Sequence, residues 1–119
     1  MIPVLLIVGA GAAILGAAVA VYWKNIRDWL KRVLDKLPSS IKEKIQGVQV
    51  FAQRIGNTFK NIMKYYSYDK NTNQWNETVV TTEVDASTVP EHIRRKIENA
   101  SNETADISDD LEKELKMSF

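Results

Sequence analysis

His92 is the single histidine in a chain of 119 residues that contains no cysteine. A nucleophile–base pair needs an imidazole beside an activated thiol or hydroxyl, and zinc sites draw on several His or Cys donors, so one imidazole assembles neither. Asp109 and Asp110 come closest to a pair of catalytic carboxylates. They follow Ser108 in what reads as the first turn of a helix, where the serine caps and negative charge suits the helix dipole, so acid–base work is not needed to explain them. Arg94 and Arg95, followed by Lys96, could contact a phosphate or carboxylate anion. Adjacent residues of a helix fan out in different directions, however, and a solvated face explains them at least as well.

The string Val8-Gly9-Ala10-Gly11-Ala12-Ala13 imitates a dinucleotide-binding turn, in which glycines let the backbone approach a pyrophosphate. The third glycine position holds Ile14, and Asp28 sits among Lys and Arg with no second strand before it. Asn-x-Ser/Thr strings start at Asn76, Asn99 and Asn102 and would matter only in a glycosylating lumen. No catalytic residue, cofactor or metal is expected, and the chain reads as a non-enzyme. Without cysteine, disulfides, thiolate zinc sites and iron–sulfur clusters are excluded.

The elements around these residues begin with Met1 to Trp23, a stretch with no charged side chain. Twenty apolar or small residues at 1.5 Å rise cover about 30 Å, the hydrocarbon thickness of a bilayer, and predict a single transmembrane helix over 1–23. Tyr22, Trp23, Lys24, Arg27, Trp29, Lys31 and Arg32 would then lie at the membrane surface, facing anionic headgroups. The positive flank predicts an N-terminus outside and a cytoplasmic C-terminal domain. A cleaved leader competes through the small-x-small sequence Ala18-Val19-Ala20, but no Lys or Arg precedes the apolar run. A buried helix of a globular domain is the third reading, and the rest of the chain offers too little apolar surface to cover it on all sides. Gly9, Ala13, Gly16 and Ala20 recur at steps of four, three and four, which makes one face either a self-association seam or ordinary filler.

Residues 24–37 place Ile26, Trp29, Leu30, Val33, Leu34 and Leu37 on one face of a juxtamembrane amphipathic helix. Residues 38–67 open on a capping box, Ser40 with Glu43, and carry Ile41, Ile45, Val48, Ala52, Ile55, Phe59, Ile62 and Tyr66 at alternating steps of four and three. That period predicts a long seam helix, read as a core helix in a helical hairpin or as a coiled coil between copies, with a break near Gly56-Asn57. Residues 68–119 complete the chain: Tyr65 to Val84 reads as strand, turn, strand, and short helices follow near Pro90 and Ser108. The expected fold class is mainly α with a small β-hairpin (α+β).

Charge is polarised along the chain. Lys24 to Lys70 holds 11 Lys or Arg against 4 Asp or Glu, whereas Asn71 to Phe119 holds 5 against 11. Aromatic residues of the hairpin could stack on a base, but they more commonly bury against neighbours, and nucleic acid is not an expected partner. These readings lead to a membrane-anchored, self-associating assembly or adaptor protein, a homo-oligomer presenting a small cytoplasmic domain to a soluble protein partner. A small pore-forming or membrane-disrupting effector of holin or defence type is the alternative. A structural membrane protein of a virion or large complex is the third.

Overall fold

Val48, Val50 and Ala52 alternate with Gln49, Phe51 and Gln53, and this period of two decides the middle of the chain. β-Branched and aromatic residues are dense from Ile45 to Tyr68, which suits a pleated, half-buried surface better than a helix. In the computed structural model, which describes residues 2–8 and 18–117, they form strands β1 (Ile45–Ile55) and β2 (Thr58–Asp69), followed by β3 (Gln74–Val84). Gly56 and Asn57 make the two-residue turn between β1 and β2, with Gly56 at φ +61°. Glycine in the first position is the II′ arrangement that matches the twist of paired strands.

The sheet is antiparallel throughout, in the order β3-β2-β1-β4, where β4 is the short strand Thr104–Asp106. Helices α1 (Val4–Val8), α2 (Ala18–Asp35) and α3 (Ser39–Lys42) precede it, and α4 (Glu91–Asn99) and α5 (Ser108–Met117) follow β3. Residues of alternate parity along each strand, Val48, Val50 and Ala52 on β1 and Phe59, Asn61, Met63 and Tyr65 on β2, form a buried inner face. Onto it pack Ile26, Leu30 and Leu34 of α2, Ile93 and Ile97 of α4, and Leu111 and Leu115 of α5, all in one core cluster. Polar anchors fix the docking: Val50 N–H donates to Ser108 Oγ at 2.9 Å, and Ile107 N–H donates to Val50 O at 2.9 Å.

Several expectations are overturned. The helical hairpin and the coiled-coil seam over 38–67 are replaced by the β1–β2 hairpin, and the fold is α+β around a four-stranded sheet. Steps of four and three coincide with inward strand positions at Val48, Ala52 and Phe59, so the same residues satisfy both patterns. The transmembrane anchor is overturned too, and with it the single-pass topology and the membrane localisation. No helix among the described residues is long and apolar enough to cross a membrane. Ile2 is instead stitched to Val48 by backbone hydrogen bonds of 2.7 and 3.0 Å, α1 is five residues long, and α2 runs from Ala18 into the charged stretch ending at Asp35. Ile2, Ile7, Tyr22 and Trp23 find their apolar cover in the core that the inner face of the sheet helps to build.

Gly56 has open space where a Cβ would sit, so only its backbone conformation resists substitution. Gly56→Ala is expected to cost roughly 1–2 kcal/mol from the left-handed φ alone, and Gly56→Asn clearly less, as read by urea denaturation.

Candidate interaction surface

On the helix side, a cleft of about 170 Å³ lies between α2 and the β2–β3 strands, lined among others by Tyr22, Trp29, Arg32, Asn61, Thr82 and Asp85. Tyr22 O–H donates to Asn61 Oδ1 at 3.0 Å in its buried wall. Burial, and secondarily the Asp110 carboxylate, hold the Tyr22 phenol well above the usual tyrosine range, so it stays neutral and serves as a structural donor. His92 is exposed on α4, its ring 6.4 Å from that of Trp23, and is remote in kind from any thiol partner. Asp110 accepts from Lys96 Nζ at 2.5 Å. Among the described residues no group of three or more His, Asp or Glu is placed to hold a metal ion.

The residues singled out from sequence fall in different places. Gly9, Ala13 and Gly16 lie outside the described residues, and Ala20 is placed only as part of the first turn of α2. Ile45, Val48, Ala52 and Phe59 are buried on the helix side of the sheet, Ile41 is exposed on α3, and Ile55 is exposed beside the turn. Ile62 and Tyr66 point to the opposite face, so the eight residues form no single seam. Tyr22 and Trp23, expected at headgroups, are each 1% exposed in the core, and Trp29 is buried beside them. Trp23 Nε1 is buried with no hydrogen-bond partner among the described residues. Arg27 is buried and pairs with Asp28 at 3.0 Å, Lys31 is half-buried, and Lys24 and Arg32 are exposed. Arg94 is spent on structure: its guanidinium donates to Val89 O at 3.1 Å and to Ala86 O, and stacks 5.1 Å from the Phe59 ring. Arg95 pairs with Glu91 at 2.8 Å on the surface. The two arginines therefore do not converge on a common anion.

The face of the sheet away from the helices is built by the other parity. Its register rows read Phe51, Ile62, Thr81; then Gln49, Lys64, Val79; then Gly47, Tyr66, Glu77. At one end Tyr68 and Trp75 face each other with ring centroids 5.0 Å apart. Trp75 is 62% and Val79 49% exposed. Lys64 Nζ lies 5.0 Å from the Phe51 ring centroid, and Tyr66 O–H donates to Gln49 Oε1 at 2.8 Å. Partial desolvation, with Glu77 opposite in register, pushes the Tyr66 phenol above its usual range. Aromatic rings between isolated charges can bind a protein or peptide through stacking, apolar contact and hydrogen bonds, but they offer no nucleophile.

Phe51 and Lys64 were missed as surface residues because a helical reading scatters them around a cylinder. The signal that would have found them is the alternation of Gln49, Phe51 and Gln53 against Val48, Val50 and Ala52. Comparison with protein-family models, with curated proteins and with solved structures finds no match to this chain.

Tyr22→Phe leaves the buried Asn61 carbonyl without its donor and should cost about 1–2 kcal/mol at neutral pH. The folded-state pKa of Tyr22 is raised, so its contribution is complete below the free-tyrosine value of about 10 and declines as pH rises past it. Urea midpoints of wild type and Tyr22→Phe should therefore converge above about pH 10.

Proposed function

We propose that this chain is a non-catalytic, self-associating adaptor module that receives a soluble protein partner on the outer face of its sheet. The observation that carries the reading is one-sidedness. Helices α2, α4 and α5 join the core on one side, and the other side presents Trp75, Val79, Ile62, Phe51, Tyr66 and Tyr68 with Lys60 and Lys64 among them. Aromatic residues are enriched at interface hot spots, where rings supply contact area, and charges beside them set orientation. Catalysis gains no support from the cleft under α2, whose buried polar groups bond to each other.

A photo-cross-linking residue at Ile62, central on the outer face, tests this in the native host, with Arg95 on α4 as the control position. An adaptor gives a discrete adduct to one other protein from position 62 and none from 95, mapped by mass spectrometry, and Lys64→Glu weakens it severalfold. No adduct at 62, or equal adducts at both positions, contradicts the reading.

A further inference from the structure

The two edges of the sheet are treated differently. On β1 the outward backbone groups are occupied: Val48 exchanges hydrogen bonds with Ile2, Val50 bonds to Ser108 Oγ and Ile107, and Ala52 pairs with Ala105 of β4. Antiparallel pairing makes successive residues point their N–H and C=O alternately to the two neighbours. Because Val48, Val50 and Ala52 point away from β2, the alternate residues of β1 bond to β2, and the alternation carries across the register to β3. Met63 exchanges bonds with Val80, Tyr65 with Thr78 and Asn61 with Thr82. The backbone groups of Trp75, Glu77, Val79, Thr81 and Glu83 are therefore left pointing at the open edge of β3, where no described strand pairs with them.

Natural sheets blunt such an edge with Lys, Pro, a bulge or a very short strand. Gln74 to Val84 contains no Lys, Arg, Pro or Gly, carries charge only at Glu77 and Glu83, and runs eleven residues in unbroken register with β2. Its sequence is also complementary to itself. In an antiparallel pair of β3 with a second β3, the register that overlaps the whole strand puts Val79 opposite Val79 of the second copy. The same register puts Glu77 opposite Thr81 and Trp75 opposite Glu83. All five free residues then find a bonding partner, and no carboxylate faces another. Shifting by two residues one way sets Glu77 against Glu83, a like-charge pair that destabilises a ladder. A shift by two the other way leaves Glu83 beyond the end of the partner strand.

We infer that the open edge of β3 is a self-recognition site, at which a second copy of this chain pairs antiparallel about Val79 and joins two sheets into one of eight strands. The inference specifies the self-associating part of the reading above, and its failure would leave the outcome at Ile62 standing.

The test uses the full chain. Light scattering over a concentration series should show wild type passing from monomer to a mass of two chains. Thr81→Pro removes an outward N–H while sparing the β2 ladder, and should raise the dimer dissociation constant by roughly 100-fold with the circular dichroism spectrum unchanged. Register is read separately by single cysteines, since the chain has none of its own. Val79→Cys should oxidise to a covalent dimer. Thr81→Cys should not, because its two copies stand four residues apart along the strand, about 13 Å, against the roughly 7 Å a disulfide can span. A wild type that stays monomeric overturns the inference, as does a folded Thr81→Pro that dimerises like wild type. Cross-linking through position 81 rather than 79 overturns it as well, whatever the proline variant does.

Discussion

Three strands of eleven or twelve residues expose one row of side chains that must be kept from water, and the rest of the structure follows from how that row is covered. Val48, Val50, Ala52 and Met63 supply the row, and α2, α4 and α5 lay Leu30, Ile93 and Leu111 into the same core. Full burial of one such side chain favours folding by about 1.5–3 kcal/mol, so the layer is held by many modest contributions. Hydrogen bonds then make the docking unique: Tyr22 to Asn61 places α2 over β2, and Ser108 to Val50 places α5 beside β1. The helices are used up on one face. Among the described residues, the second face and the edge of β3 carry no such layer.

How much of this the residues disclose depends on where two periodicities coincide. Steps of four and three along Ile45, Val48, Ala52, Ile55 and Phe59 suit a helix, while Val48, Val50 and Ala52 suit a strand, and the first set shares Val48 and Ala52 with the second. The composition breaks the tie, since Val, Ile, Phe and Tyr crowd the segment and Gly56-Asn57 is a hairpin turn placed midway. The strand at Gln74 to Val84 was readable because β-branched Thr and Val crowd it and a turn-rich run precedes it. Ile2, Ile7, Tyr22 and Trp23 were legible as apolar but not as buried in protein, because their partner surface exists only once β1 and β2 are strands. Tyr22 and Trp23 illustrate this: the rings expected at a membrane boundary are the same rings that fill the core.

Charge undergoes a similar change of meaning. Along the chain, a basic stretch up to Lys70 precedes an acidic one. Folding lays these side by side rather than end to end. Lys60 of β2 stands opposite Glu83 of β3 in register, and Arg54 meets Glu103 at 2.5 Å. The polarity that suggested attraction to anionic lipid is thus offset in part where the two stretches meet. Exposed pairs of this kind contribute little stability each, so their main effect is to keep the outer face electrically mixed.

The most direct measurement is a residue-resolved map of proton contacts in the full chain by solution NMR. Val50 and Met63, and Ala52 and Asn61, stand directly opposite without exchanging hydrogen bonds, which brings each pair of Cα atoms to about 4.5 Å. Strong contacts between the Hα protons of both pairs, together with contacts from the Tyr22 ring to Asn61, are the predicted result. Helical contacts between residues three apart along 45–66, with no cross-strand contacts, would contradict the one-sided sheet and everything built on it.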